Sequence, residues 1–227
     1  MDINARTRLA IGDAALERLG AARVLVAGLG GVGGAAAEAL ARSGVGRLVL
    51  VDKDVVEPSN LNRQVIATTL SIGQPKAQLM AQRVAQVAPG CRTLPREMFI
   101  TPQNIAELLS PAPDYVLDAI DNMTAKLALA QFCYGAGIPI ISVMSAGNKL
   151  DPAKFEVASI WDTSVCRISR VMRKELRARG VGDLRVVYST EPPRQGDGRT
   201  PGSVSFVPPV AGMIAAGAVV RSIAGLG

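Results

Sequence analysis

The feature that most constrains this chain is a glycine cluster, Gly28, Gly30, Gly31, Gly33 and Gly34, set between two short apolar runs. Residues 23–27 before it are almost continuously apolar, as a central parallel strand buried on both faces requires. Residues 32–42 after it are rich in alanine and predict a helix, and residues 48–51 predict a second strand that delivers Asp52. Strand, tight turn, helix and strand in about thirty residues is the opening unit of a doubly wound sheet. The spacing of Gly28, Gly30 and Gly33 lets the backbone turn sharply, approach a phosphate and seat the helix on the strand. The helix then directs its unpaired amides at the anion. The expected class is α/β: a Rossmann-like, doubly wound, mostly parallel sheet with helices on both faces.

The same alternation continues. Strands are expected over 91–94, 115–119 and 138–143, and helices over 13–19, 75–87, 102–109 (capped by Thr101) and 124–134. Residues 6–11 carry two arginines and little reason to be ordered alone. Beyond Met144 the character changes to an antiparallel extension, with a loop over 145–149 and a strand over 155–160. A basic segment, 166–185, follows, in which Ile168, Val171, Met172 and Leu176 recur at helical spacing. Residues 191–202, rich in Pro, Gly and Arg, read as a mobile loop. Residues 204–223 read as a buried terminal helix, because Pro, Gly and Arg221 interrupt the apolar run before it could span a bilayer. One domain, 1–227, is expected, with a nucleotide-binding part (1–145) and a substrate-contacting extension (146–227).

Composition narrows the chemistry. The chain has no histidine, which excludes serine–histidine and cysteine–histidine nucleophiles and histidine-bound zinc. Cys91, Cys133 and Cys166 are too few and too scattered for a disulfide framework or a four-thiolate zinc site, so no zinc is expected. With no secretory leader before the first strand, a reducing cytoplasm is expected and no membrane. The formal charge of +6 and pI near 9.6 favour an acidic partner, nucleic acid above all.

Chemistry must then come from carboxylates, lysine, arginine, backbone amides and a bound cation. Gly28, Gly30, Gly31 and Gly33 are the phosphate cradle. Asp52, at a strand's carboxyl end, is placed for ribose hydroxyls, and Asp54 for the reacting group or a cation. Asn60, Arg63 and Gln64 lie in a polar loop within reach of a triphosphate, Arg63 being suited to bidentate phosphate contact. Lys76 opens a helix facing the same crevice. Asp121, with Asn122 beside it, ends the strand at 115–119 and is the candidate ligand for the magnesium that bridges nucleotide phosphates. Asp118 is the structural alternative. Around the helix after Cys166, Arg167, Arg170, Arg173, Lys174 and Arg177 are countered by few acids, which favours a phosphate-backbone surface over an ordinary solvated face.

The motifs GLGGVGG (Gly28 to Gly34), VDKD (Val51 to Asp54), NLNRQ (Asn60 to Gln64), GQPK (Gly73 to Lys76) and DAIDN (Asp118 to Asn122), in this order, resemble the adenylating ThiF, MoeB and HesA superfamily, relatives of ubiquitin-activating enzymes. The resemblance implies ATP and Mg2+ as cofactors. It implies that Asp52 binds ribose, that Asn60, Arg63 and Lys76 bind and neutralise phosphates, and that Asp121 holds magnesium. It also implies a homodimer in which Arg6 reaches the neighbouring nucleotide site. The final third, through AGNKLDP (146–152), SVCRISRVMRKELRARG (164–180), VVYSTEPP (186–193) and PGSVSFVPPVAG (201–212), looks most like the branch that cyclises threonylcarbamoyladenosine in tRNA. That branch implies tRNA as partner and leaves a sulfur-transfer partner possible. Where the branch often has Pro after the cysteine, this chain has Arg167. Two other readings stay open at this point. One is adenylation of a ubiquitin-like sulfur carrier's terminal glycine, against which the lack of paired CxxC motifs argues. The other is an NAD-binding or non-catalytic Rossmann module.

Overall fold

A computed structural model describes residues 3–194 and 201–226. Seven strands form one sheet: β1 (Arg23–Ala27), β2 (Arg47–Val51), β3 (Arg92–Arg96), β4 (Tyr115–Asp118), β5 (Ile140–Val143), β6 (Phe155–Ser159) and β7 (Arg185–Ser189). Their order is β3-β2-β1-β4-β5-β7-β6, parallel throughout except for the β6–β7 pair. The chain runs outward from β1 to β3 and returns to place β4 on the other flank of β1. The switch between β1 and β4 opens a crevice outside their carboxyl ends, where ligands bind in such sheets.

Helices cover both faces, and strand alternation decides which residues each covers. Val24, Val26, Leu48, Leu50 and Leu117 point to the layer of α3 (Gly33–Arg42), α4 (Lys76–Val87) and α8 (Pro208–Ala224). Leu25, Ala27, Val49, Val51 and Val116 point to α5 (Ile105–Leu108) and α6 (Met123–Ala136). On the same side as α6, α7 (Arg167–Ala178) packs Met172 and Leu176 against Val186 and Tyr188. At the amino end, α1 (Ala5–Ile11) and α2 (Asp13–Ala21) precede the first strand.

The doubly wound sheet and the antiparallel β6 agree with the sequence reading; several details do not. The arm expected to lack order is the helix α1, joined to α2 by an Arg8–Asp13 ion pair. The helix expected over 102–109 is one turn long. Residues 101–104 form a turn in which the Asn104 side chain accepts from the Thr101 amide at 2.9 Å, so Asn104 and not Thr101 sits at the cap. Pro75 lies at the cap of α4 rather than in its first turn. The strand β7 was not expected at all. Val171 is 45% exposed, because the buried stripe of α7 steps by four, through Ile168, Met172 and Leu176, and leaves 171 at its margin. Of the loop expected over 191–202, residues 195–200 lie outside the described residues. The terminal segment does return to the core as α8, which begins on Pro208 and Pro209. A Cβ at Gly212 would stand 2.2 Å from the Val32 carbonyl, so only glycine lets α8 press on the start of α3.

Candidate functional site

The crevice at the carboxyl ends of β1, β2 and β4 gathers most of the residues singled out from sequence. Gly28 has φ +85°, and a Cβ there would meet the Ala119 carbonyl at 2.7 Å. A Cβ on Gly33 would lie 1.7 Å from the Gly28 carbonyl, which fixes the helix tightly to the turn. Gly30 is different: nothing stands closer to its Cβ position than the Gln64 Nε2 at 3.8 Å. Gly28 and Gly33 shape the turn, and Gly30 leaves its inner side open to a ligand.

Asp52 braces that turn. Its Oδ2 accepts from the Leu29 amide at 2.6 Å and its Oδ1 from the Asp54 amide at 2.8 Å. A carboxylate accepts about four hydrogen bonds, so roughly two acceptor positions remain for ribose hydroxyls. Asp54 contacts Lys53 Nζ at 2.6 Å and Lys76 Nζ at 3.5 Å. Burial pushes its carboxyl up, but the Lys53 hydrogen bond and the Lys76 charge outweigh this and hold it below the usual carboxylate value. Lys76, at the first position of α4, is buried with Asp54 as its ion-pair partner.

The loop between β2 and α4 carries the remaining polar groups. Asn60 is buried at the end of a single 3-10 turn, its Oδ1 accepting from the Glu57 amide at 3.2 Å. Arg63 donates from one terminal nitrogen to the Ser59 carbonyl at 2.9 Å and to Asn62 Oδ1 at 2.8 Å. Gln64 is buried next to Gly30, and its Oε1 has no hydrogen-bond partner among the described residues. A buried, unpaired amide oxygen is costly in an empty site and is what a ligand donor would relieve.

After β4 two acids separate sharply. Asp118 is fully buried; its Oδ2 accepts from Lys126 Nζ at 2.8 Å and from Ser142 Oγ at 2.5 Å, and its Oδ1 from the Ile120 amide at 3.0 Å. Lys126 completes its set on Ser142 Oγ and the Val143 carbonyl, both at 3.0 Å. Asp121 is exposed at the lip, close enough for its charge to help raise the Lys53 ammonium. Asn122 caps α6, its Oδ1 accepting from the Ala125 amide at 3.0 Å, which leaves its amide nitrogen free to donate to a ligand. Among the described residues no three His, Cys, Asp or Glu cluster as a metal cage. A single open carboxylate beside a phosphate cradle nevertheless suits magnesium, which is usually held by one or two carboxylates, substrate phosphates and waters.

Lys53 and Lys126 were not singled out from sequence as site residues. The doublet of acids around Lys53 was the available signal; the partners of Lys126 are brought to it only by the fold.

Arg6 is exposed on α1, far from its own glycine loop. Asn4 of the same segment lies 3.8 Å from a Cβ built on Gly44, just before β2 begins and thus at the opposite end of the sheet. On α7, Arg167, Arg170 and Lys174 are exposed. Arg177 lies over the Trp161 ring at 5.1 Å. Arg173 turns inward, donating to the Thr163 carbonyl at 2.8 Å, so part of its guanidinium is committed to the turn before α7. Cys166 caps α7, its Sγ accepting weakly from the Ser169 amide at 3.5 Å. Near it lies the buried Lys149, whose ammonium is held below the usual lysine value by burial. The other two thiols are inert by burial, Cys133 pushed up to about 12 and Cys91 to about 11.

Comparison with known proteins places this geometry. The chain is 42% identical over 236 residues to the tRNA threonylcarbamoyladenosine dehydratase of Bacillus subtilis, covering 96% of this chain and 93% of that protein. The solved E. coli tRNA N6-threonylcarbamoyladenosine dehydratase in complex with AMP superposes with a TM-score of 0.93 at 32% identity, covering 97% of this chain and 93% of that one. The same E. coli protein in complex with ATP gives 0.91 at 33% identity, with the same coverage. The sulfur carrier protein ThiS adenylyltransferase of E. coli is 37% identical over 131 residues, 58% of this chain and 52% of that protein. The profile of the ThiF family matches residues 4–227, and the chain belongs to that family.

Proposed function

We propose that this chain is an ATP-dependent enzyme that cyclises threonylcarbamoyladenosine in tRNA, with loss of water, through a carboxyl adenylate. The observation that carries the reading is the extent of the likeness. The dehydratases match through α7, β7 and α8 as well as the nucleotide crevice, whereas the sulfur-carrier enzyme matches over 58% of the chain. We read residues 1–227 as a single adenylation domain of a cytoplasmic protein. Among the described residues no helix is long and apolar enough to cross a membrane.

ATP is a substrate here. The glycine turn and the amino end of α3 receive its phosphates, the free acceptors of Asp52 take the ribose, and Asn60, Gln64, Arg63 and Lys76 line the phosphate path. Asp121 would hold the magnesium that accompanies the nucleotide, which would supply charge neutralisation on the phosphates. The threonyl carboxylate of the modified adenosine attacks the α-phosphorus; a carboxylate oxygen–phosphorus bond forms and the bond to pyrophosphate breaks. Arg63 and Lys76 stabilise the negative charge that builds on the departing oxygens. The carbamoyl group of the same side chain then attacks the activated carbonyl, AMP leaves with the bonding pair, and the carbamoyl proton passes to solvent. Because that nucleophile is tethered, proximity drives the second step and no thioester on Cys166 is needed. Arg6, lying at the far end of its own subunit, acts on the site of a second copy in a homodimer. The exposed Arg167, Arg170, Lys174 and Arg177 contact tRNA phosphates.

Incubation with ATP and tRNA bearing threonylcarbamoyladenosine, followed by nucleoside analysis, tests the reading. The expected product is the nucleoside lighter by one water. Pyrophosphate exchange that requires a ubiquitin-like protein and ignores tRNA would replace this reading with sulfur-carrier activation.

A further inference from the structure

At the end of the sheet opposite the glycine turn, Arg23 of β1, Arg47 of β2 and Arg92 of β3 stand side by side in register. Paired residues on neighbouring strands are about 4.8 Å apart, and like charges placed directly opposite one another destabilise a sheet. Alternation along the strands puts Arg96 on the same face two residues beyond Leu94. Arg23 is tied down by the Pro111 carbonyl. Arg47, Arg92 and Arg96 are exposed and have no ion pair or side-chain hydrogen bond among the described residues.

These four arginines rim a cleft of about 470 Å³ in which Glu107 is the one acidic lining residue. Val49, Leu94, Met98 and Leu108 make its apolar floor. The cleft opens where the four-residue α5 stops short of the outer strand β3, on which Leu94 is 41% exposed. An unbalanced row of parallel-strand arginines above an apolar floor is an anion site by its chemistry.

The second basic surface lies on the same side of the sheet. From β3 to β7, against which α7 packs, there are five strand intervals, or roughly 24 Å. The helix α7 starts beside Lys149 at the nucleotide end and finishes with Arg177 over Trp161, just beyond the end of β6 where β7 begins. Its carboxyl end therefore lies toward the same end of the sheet as the arginine row. A phosphate or mononucleotide reaches one of these surfaces; a polynucleotide, with a charge about every 1.7 Å of duplex axis, reaches both at once.

We propose that the Arg23–Arg47–Arg92–Arg96 cleft is a second docking site for the phosphodiester backbone of the tRNA, engaged together with α7. This rests on tRNA being the substrate. The test compares the wild-type protein, an Arg47→Gln/Arg92→Gln/Arg96→Gln variant and an Arg167→Gln/Arg170→Gln/Lys174→Gln variant. Binding of tRNA across a potassium chloride series and binding of inorganic phosphate are measured, with ATP binding and the unfolding midpoint as controls. The cleft variant should keep or raise its midpoint, keep its ATP affinity, bind tRNA about tenfold more weakly at physiological salt, and show a salt slope shallower by about 2 to 3. Unchanged tRNA affinity and slope in the cleft variant, with binding reduced in the α7 variant, overturns the cleft and leaves the tRNA reading standing. Absence of salt-dependent tRNA binding in the wild type overturns the tRNA reading first. Loss of inorganic phosphate binding without loss of tRNA binding would make the cleft a small-anion site and also sink the inference.

Discussion

Asp118 and Asp121, three residues apart at the end of β4, mark two regions built on opposite plans. Around Asp118 both carboxylate oxygens and all three Lys126 donors are engaged, and no polar atom of the described residues there is left without a partner. Around Asp121, across the crevice lip, polar capacity is left open: a free carboxylate, the unpaired Gln64 Oε1, the bare inner side of Gly30. The saturated region holds the strand ends and the loop in place. The open region is where substrate hydrogen bonds remain to be made. Removing a group from the first should therefore act on stability, and removing one from the second on turnover.

The largest effect is expected in the saturated region. Lys126→Met strands a fully buried carboxylate and should cost about 3–5 kcal/mol by denaturant unfolding. Adding Asp118→Leu should recover much of that loss. A double variant no more stable than the single one would show that the pair does more than balance two charges.

In the open region, Asp121→Ala and Arg63→Ala should each lower tRNA-dependent ATP–pyrophosphate exchange by about 10²- to 10³-fold, while the unfolding free energy stays within about 0.5 kcal/mol of wild type. Full activity in the Asp121 variant removes it from the magnesium role.

A smaller effect tests a pairing outside both regions. Glu38 of α3 is tied to Arg83 of α4 and to Arg42, each at 2.8 Å. Burial pushes its carboxyl up, but the hydrogen bonds from Arg83 and Arg42 outweigh it and leave the folded value below 4.5. A depressed value means the stabilisation is present above 4.5 and disappears as pH falls through the folded value. With the arginines partly exposed and screened, Glu38→Gln should cost about 1 kcal/mol at neutral pH. Wild type and variant should converge in acid; parallel curves at every pH would refute the linkage.

The smallest effect belongs to Cys166. As a weak cap it should cost about 0.5 kcal/mol when replaced by alanine, with cyclisation unchanged. A variant that folds but no longer cyclises would give the thiol a chemical role.

What could be read from sequence follows the same division. That the glycine turn, Asp52, Asn60, Arg63 and Lys76 gather at one crevice was legible because local spacing places them: a strand delivers the turn, and the turn and loop carry the polar groups. The partnership of Asp118 was not, since Ser142 and Val143 come from another strand brought alongside by the sheet. The strand β7 was hidden because it is short and begins directly after the most basic stretch, whose charges dominate the pattern. Val171 was misjudged because helical spacing admits both three- and four-residue steps, and packing against Val186 and Tyr188 selects only the latter. The arginine row was invisible for a related reason: Arg23, Arg47 and Arg92 are distant in sequence and become neighbours only through register.

The close seat of α8 on the start of α3 has a consequence for synthesis on the ribosome. Pro208 stands 3.1 Å from a Cβ built on Gly31, and Gly212 lies against the Val32 carbonyl, so the phosphate turn rests on a helix made long after it. A nascent chain that has produced the whole nucleotide crevice but not yet α8 holds a turn with no backing. Competence to take ATP should therefore arrive late and all at once, rather than growing with each strand added.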